Sequence, residues 1–254
     1  MAETIIVNSI IRGANILRIL GQGVTRVEDI HPRVGLSRST THRLLKSLVA
    51  AGFAYQNPIN RNYHVGSLVL QLVSNPSISH QILIICALDE LRYLRDVSGE
   101  TVLIIMASGD QRFVLKQMSS TQKLAYHWED GATGPIYAGS SGKLLLSQFG
   151  DPQIEQILRT VDFSPITSST ITDADVLKGE IKKIRKKGYA TSIGEDVDGS
   201  IGVSVPVLGY TCPVALCILA PEFRLKPINV LKEMKDSASR IEKKLRDTLF
   251  IPDR

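Results

Sequence analysis

The sequence has little cysteine and no long apolar run. Its 254 residues include three cysteines, Cys86, Cys212 and Cys217, and no two of them have the Cys-x-x-Cys spacing. This pattern predicts no disulfide framework and suits a reducing cytosol. No apolar run reaches the ~18 residues that a membrane span needs. The first residues, Met1–Thr4, carry no basic charge, so we expect no signal peptide, no membrane partner and a cytoplasmic protein.

Patterns that would indicate a catalytic or metal centre are also lacking. The five histidines have no metal-ligand spacing with one another or with the cysteines. Glu195, Asp196 and Asp198 could suggest a cation site, but acids before Gly199 are more typical of a solvated turn. Cys217 lies in an apolar run without an evident base, which favours a buried or cavity-lining thiol over a nucleophile. We therefore expect no metal, no cofactor and no catalytic residue.

Positive charge is concentrated in the first third of the chain. Residues 1–75 contain eight Lys or Arg and three Asp or Glu, an excess equal to the net charge of +5 of the whole chain. The remaining residues are balanced. A basic segment joined to a neutral one suggests a module that binds a polyanion and a second module with another task. A soluble domain with a chance excess of arginine is the alternative.

Residues 1–66 have the pattern of three helices followed by a hairpin. Apolar residues recur at helical spacing in each predicted helix, and the hairpin runs flank a turn-forming Asn-Pro-Ile-Asn-Arg segment. The helices are predicted over 8–20, 26–34 and 39–51, and the extended runs over 53–56 and 62–65. This order predicts a winged helix-turn-helix.

The third predicted helix combines an apolar side with a polar, cationic first half. Leu44, Leu45 and Leu48 suit packing, whereas the residues before them suit contact with DNA. In a helix-turn-helix the first turns of the second helix enter the major groove. A capped amphipathic helix with a solvated face is the alternative. The candidate DNA-binding residues are Arg26, Ser37, Arg38, Ser39, Thr40, Thr41, His42, Arg43, Lys46 and Arg61.

The rest of the chain alternates strand-like and helix-like segments. Strands are predicted over 101–107, 111–118, 124–128, 202–208 and 214–219, and helices over 79–97, 140–149, 151–160, 173–187 and 226–250. The fold class is therefore predicted as α+β. The expected domains are a winged helix-turn-helix over 1–66, a linker helix over 67–78 and a second domain over 79–254.

These segments resemble the IclR family of bacterial transcriptional regulators. The resemblance rests on residues 8–20, on Gly35-Leu36-Ser37-Arg38-Ser39-Thr40-Thr41-His42-Arg43-Leu44-Leu45 and on Tyr63-His64-Val65-Gly66. Downstream it includes Ile136-Tyr137-Ala138-Gly139-Ser140-Ser141-Gly142-Lys143, then Gly188-Tyr189-Ala190 with Glu195, and Gly202 to Pro206. One departure is Pro32, which lies inside the first helix of the helix-turn-helix. We expect that helix to be kinked there or to begin later than in the family.

The resemblance implies an effector-binding domain with a curved antiparallel sheet flanked by helices. The segment Gly139–Gly142 at a helix start suits an anion cradle, with a simple helix cap as the alternative. By position in the family pattern, the effector-binding residues are Leu124, Tyr126, Ser140, Ser141, Ser192, Ser200, Gly202, Cys217 and Leu219. Such a pocket is expected to carry little charge, with Tyr126 available to stack on a ring. An organic acid, preferably aromatic, is therefore the expected effector.

The sequence thus predicts a regulator, more often a repressor than an activator, whose binding to operator DNA responds to a small molecule. The resemblance implies a homodimer or homotetramer, and two-fold symmetry predicts a pseudo-palindromic double-stranded operator. The linker helix and the helix after it are expected to transmit the signal. The alternative is an enzyme with a sensor-like α+β catalytic domain and a regulatory N-terminal domain.

Overall fold

The chain is organised as two compact units. The computed structural model describes residues 7–74 and 76–249, and these form two units. The first unit ends at Ser79 and the second begins at His80. Within the described residues no helix is both long and apolar enough to cross a membrane.

The first unit contains the three helices and the hairpin that the sequence predicts, followed by two short helices. A core of fully buried side chains, including Ile16, Ile30, Leu45 and Tyr63, joins these elements. The strands pair antiparallel, with Tyr55 opposite His64. The elements are α1 (Asn8–Gly21), α2 (Val27–Arg33), α3 (Arg38–Ala50), β1 (Ala54–Gln56), β2 (Tyr63–Val65), α4 (Ser67–Val73) and α5 (Pro76–Ser79).

Pro32 occupies the last turn of α2. The helix begins at Val27 and ends at Arg33, so one residue follows the proline within the helix. Proline has no N–H to donate, and its ring disturbs the preceding turn. Because the helix ends there, only one hydrogen bond of its ladder is lost. Beyond it, the N–H of Gly35 donates to the Pro32 carbonyl at 3.3 Å and forms the turn toward α3.

The second unit is built on a six-stranded antiparallel sheet, and this confirms the predicted α+β class. Its strand order is β5-β4-β3-β8-β7-β6. The strands are β3 (Thr101–Ser108), β4 (Gln111–Met118), β5 (Thr133–Pro135), β6 (Ala190–Ile193), β7 (Ser200–Pro206) and β8 (Val214–Pro221). The helices are α6 (Gln81–Ser98), α7 (Gly139–Ser147), α8 (Asp151–Thr160), α9 (Ala174–Lys187) and α10 (Leu231–Leu249), with a 3-10 turn at Pro227–Asn229.

Helices cover both faces of this sheet. Along β3 the side chains alternate, as they must in a strand. Val102, Ile104 and Met106 pack in the cluster that contains α6 and α10, while Leu103 and Ile105 pack in the cluster that contains α7, α8 and α9. The strand is therefore apolar at consecutive positions, which is the pattern expected of a strand buried on both faces.

Three sequence predictions in this unit were wrong. Residues 124–128 form no strand; this segment is an irregular loop. The short strands β5 and β6 were missed, since three and four residues give too little alternation to detect. The closing helix begins at Leu231 rather than at 226, because Pro227 starts a separate 3-10 turn. The predicted end at Phe250 lies outside the described residues.

Candidate functional site

The start of α3 is fixed by its own cap. The hydroxyl of Ser37 accepts a hydrogen bond from the Thr40 backbone N–H at 3.2 Å and donates to Thr40 Oγ1 at 2.9 Å. Such a cap satisfies one of the free N–H groups of the first turn. On the inward side Leu45 is fully buried, so the opposite side of the helix faces outward. The cap and the buried leucine together fix which residues α3 presents.

The outward side of α3 and the hairpin form one basic groove. Arg38, His42 and Lys46 lie one helical turn apart and face Arg61 at the hairpin tip, with Arg26 beside them. The groove is open to solvent. Its acid is Glu28, whose Oε1 lies 2.8 Å from Arg38 Nη2. The net positive charge suits the phosphate backbone of a nucleic acid.

Other predicted DNA-binding residues have different positions. Ser39 and Arg43 are exposed on α3 but do not line the groove, and Thr40 is half-buried. Thr41 must be corrected, because it has 0% exposed surface and cannot contact DNA. Helical periodicity explains this placement: Thr41 is one turn before Leu45, so it points into the same core.

The second unit contains a cavity between the sheet and the start of α7. It encloses about 400 Å³ of empty space, which includes open solvent at its mouth. Seven of the nine predicted effector-binding residues line it: Ser140, Ser141, Ser192, Ser200, Gly202, Cys217 and Leu219. The predicted set of effector-binding residues lacked the other wall residues, although Gly139 belongs to the predicted anion cradle; they are Leu103, Ile105, Arg112, Val114, Trp128, Gly139 and Asp196.

A hydroxyl cluster forms the floor of the cavity. Ser192 Oγ accepts from the Ser140 backbone N–H at 2.9 Å, and Ser140 Oγ lies 2.8 Å from Ser204 Oγ and 3.8 Å from Cys217 Sγ. Gly202 permits this packing, because a Cβ there would be 2.5 Å from Ser140 Oγ and 2.9 Å from Ser192 Oγ. Burial raises the pKa of the Cys217 thiol, so it stays protonated. The floor is therefore polar and uncharged.

An ion pair forms part of the cavity wall. Arg112 Nη2 lies 2.6 Å from Asp196 Oδ2, and the guanidinium lies over the Trp128 ring with its carbon 5.1 Å from the ring centroid. The prediction of a weakly charged pocket was therefore wrong in detail. Arg112 directly precedes the apolar residues Phe113, Val114 and Leu115 of β4, and a charge beside this apolar run was the available signal.

Leu124 and Tyr126 lie outside the cavity. The Leu124 side chain is exposed, while its carbonyl accepts from Arg224 Nη2 at 2.7 Å. The Tyr126 hydroxyl donates to the Asp198 carbonyl at 3.1 Å and lies near Gly199. Both residues belong to the same loop as Trp128. Of these three side chains, that of Trp128 lines the cavity.

The acidic turn after β6 is not solvated throughout, contrary to the prediction. Glu195 is buried and paired with Lys143 of α7, and Asp196 pairs with Arg112. Asp198 is exposed. Within residues 7–74 and 76–249 no group of three His, Cys, Asp or Glu side chains could hold a metal ion. These acids therefore bind cationic side chains of the same unit.

Family models match both units of the chain. Residues 9–58 match the IclR helix-turn-helix domain, and residues 76–243 match the family described as bacterial transcriptional regulator IclR C-terminal. The transcriptional repressor AllR of Escherichia coli K12 is 30% identical over 190 residues, which cover 74% of this chain and 70% of that protein.

Solved structures of regulators share the fold. The IclR structure of Thermotoga maritima has a TM-score of 0.62 and 25% identity, over 94% of this chain and 98% of that one. An IclR homologue from Microbacterium hydrocarbonoxydans, complexed with 4-hydroxybenzoate, has a TM-score of 0.61 and 20% identity, over 94% of this chain and 99% of that one. The earlier resemblance is thereby confirmed: this chain belongs to the IclR family and is a DNA-binding transcriptional regulator with an effector-binding domain.

Proposed function

We propose that the chain represses transcription by binding operator DNA through the groove between α3 and the hairpin. The observation that carries this proposal is the row Arg38, His42 and Lys46 on the outer side of α3, opposite Arg61. An arginine fork matches guanine in the major groove, and lysine matches phosphate. Arg43 and Ser39 extend the exposed polar surface of the same helix. A regulator that binds the chromosome acts in the bacterial cytoplasm.

The effector that we propose is an organic acid that occupies the cavity of the second unit. Its apolar walls suit a hydrocarbon or ring, and its serines and the start of α7 suit an acidic group. Seven predicted residues meet at this cavity, and Leu124 and Tyr126 have no part in it. The proposal therefore rests on Ser140, Ser141 and Ser192 for polar contacts.

The active form that we propose is a homodimer, or a tetramer of two dimers, on a pseudo-palindromic operator. Apolar side chains exposed on α1 support this assembly: Ile10 is 70% exposed and borders an apolar groove formed with Leu48 and Phe53. A surface of this kind is typical of an interface. Ligand binding then acts as a population shift, in which the effector prefers one arrangement of paired DNA-binding units.

Fluorescence anisotropy on the DNA upstream of the chain's own gene tests the proposal. The wild-type protein is compared with the Arg38→Ala/Arg43→Ala double variant on this fragment and on an unrelated one, at two salt concentrations. We expect the upstream fragment to bind at least about 100-fold more tightly than the unrelated one, and the variant to lose this preference.

A matched control removes two cations from the second unit. The Lys182→Ala/Lys186→Ala variant changes net charge equally on the exposed side of α9. We expect it to keep the preference for the upstream fragment. Equal binding of wild type to both fragments would contradict operator recognition at this site, and loss of preference in the α9 variant would contradict the role given to α3.

A further inference from the structure

Arg112 is a buried cation of the second unit. Its exposed fraction is 3%, and it projects from β4, beside the edge strand β5, into the cavity of the second unit. Nη1 donates to the Ala138 carbonyl at 2.8 Å and approaches Ser141 Oγ at 3.5 Å, while Nη2 donates to Asp196 at 2.6 Å. A buried guanidinium needs a carboxylate partner, and Asp196 is the partner in this structure.

The carboxylate of Asp196 is the more replaceable half of this pair. Its side chain is 17% exposed, against 4% for Arg112, and it lies on the turn between β6 and β7. The same turn is held independently of Asp196. Glu195 pairs with Lys143, and the Glu195 carbonyl accepts from Thr170 Oγ1 at 2.7 Å. Asp196 can therefore leave Arg112 for solvent while the neighbouring residue stays anchored.

We propose that Arg112 is the anion receptor of the effector cavity and that Asp196 occupies it until a carboxylate ligand takes its place. This inference rests on the proposed function, because it names the chemistry of the effector at that site. The planar guanidinium forks onto a carboxylate. Trp128 and the aliphatic side chains of Leu103, Val114 and Leu219 line the same cavity, and such walls favour the flat apolar body of an aromatic monocarboxylate.

Charge balance makes the exchange selective. Arg112 and Asp196 are the charged side chains that line the described cavity, and their charges cancel. A bound carboxylate adds a negative charge, so Asp196 must move outward for the cavity to remain neutral. A neutral ligand of the same shape cannot replace Asp196, because Arg112 would be left buried without a counter-charge. The cavity thus rejects amides and alcohols, and ligand binding displaces the turn after β6.

The single tryptophan of the chain reports on this exchange. Trp128 is the one Trp in the sequence, and its ring lies beneath the Arg112 guanidinium. Its fluorescence is recorded while benzoate or its neutral isostere benzamide is added to the full-length protein. The same titrations use Asp196→Asn, Arg112→Gln and Arg112→Lys. The control variant is Asp151→Asn, which neutralises the acid of the exposed Arg185–Asp151 pair.

We expect saturable binding of benzoate to wild type and binding at least about tenfold tighter to D196N, where the internal competitor is gone. R112Q should bind at least about tenfold more weakly, with R112K intermediate and D151N unchanged. Benzamide should bind at least about tenfold more weakly than benzoate. The melting temperature of D196N, which lacks a partner for Arg112, should rise with benzoate more than that of wild type.

Three outcomes would overturn the proposal: equal binding of benzoate and benzamide, unchanged binding in R112Q, or no response of D196N to benzoate in either readout. If R112Q does not fold, the benzoate affinities of R112K and D196N test the proposal in its place. It predicts weaker binding to R112K and tighter binding to D196N than to wild type. Operator anisotropy of D196N and R112K separates the two claims. Retained operator binding alongside any of the three outcomes removes Arg112 as the receptor while leaving the regulator function intact.

Discussion

Arg38 at the start of α3 is paired with Glu28 of α2. Arg38 Nη2 lies 2.8 Å from Glu28 Oε1, and the side chains are 71% and 50% exposed. A hydrogen bond from the backbone and the nearby Arg38 and Arg26 hold the pKa of Glu28 below its usual value. Arg38 is therefore partly neutralised in the free protein, and under the proposed mode of operator binding DNA competes with Glu28 for it.

We predict that Glu28→Gln tightens operator binding by up to about fivefold, because an exposed ion pair is weak and its removal releases one cation. Asp29→Asn is the matched control, since it removes the same charge from the next residue without touching the Arg38 pair. Fluorescence anisotropy at two salt concentrations measures both variants. A larger effect for D29N than for E28Q would show that overall charge, rather than the pair, limits the affinity.

Gly202 is predicted to be essential for the hydroxyl cluster. In Gly202→Ala the new Cβ would lie 2.5 Å from Ser140 Oγ, so either the start of α7 or β7 must shift. We expect a loss of about 1–3 kcal/mol of unfolding free energy, as for other overpacked cores. Gly179→Ala, in the middle of α9, is the control. Its Cβ would meet no atom of the described residues within 4 Å, and alanine favours a helix.

Urea denaturation measures these two variants. G179A should unfold at the same or a higher urea concentration than wild type, and G202A at a lower one with an unchanged m-value. If G202A were as stable as wild type, then the close approach of Ser140 to β7 would not be a constraint in solution.

The buried Lys143–Glu195 ion pair is predicted to be essential for the stability of the second unit. Lys143 is 2% exposed, and the second oxygen of Glu195 has no hydrogen-bond partner in the described part of the chain. Lys143→Met leaves Glu195 buried without a counter-charge, which costs about 3–5 kcal/mol. The control Lys183→Met breaks the exposed pair with Glu180 and should cost less than about 1 kcal/mol. Comparable losses in urea denaturation would contradict this account.

His80 is predicted to make the second unit less stable in mild acid. Its Nδ1 lies 2.8 Å from the Tyr210 hydroxyl, and burial lowers the pKa of His80 below its usual 6.5. The unfolded chain therefore takes up a proton at a higher pH than the folded one. Stability should be full above pH ~6.5 and should fall as the pH decreases through the lowered value. In thermal melts from pH 7.5 to 5, the melting temperature should decline less in His80→Gln than in wild type. An equal decline in both proteins would show that other groups cause the loss of stability.

The sequence predicted most of the fold because periodicity and caps are local signals. The helix at Asp151–Thr160 and the strand at Gln111–Met118 were predicted to the residue. The strand predicted over 124–128 was wrong because the apolar residues of a loop beside a sheet have the same composition as a strand. Short strands were missed because their existence depends on a neighbouring strand, which only the tertiary structure supplies.

The cavity was predicted in part, and the reason for the omissions is physical. The predicted serines lie at a recognisable helix start, whereas Arg112 belongs to the cavity only because β4 adjoins β3 in the sheet. Asp196 looked like one of several acids in a polar turn, since its partner is 84 residues away in the sequence. Thr41 was misplaced because a threonine on a polar stretch gives no sign that it faces the core.

The most direct test of the account is the effect of organic acids on operator affinity. Anisotropy of the upstream fragment is recorded with benzoate, 4-hydroxybenzoate, phenylacetate and pyruvate, for wild type and for Leu219→Trp, which fills the cavity. The account predicts that at least one of these acids shifts the midpoint of wild type by about fivefold or more, as is usual for coupled sites, and leaves L219W unchanged. An equal shift in both proteins, or no shift with any of these acids, would contradict a regulator controlled by an organic acid in this cavity.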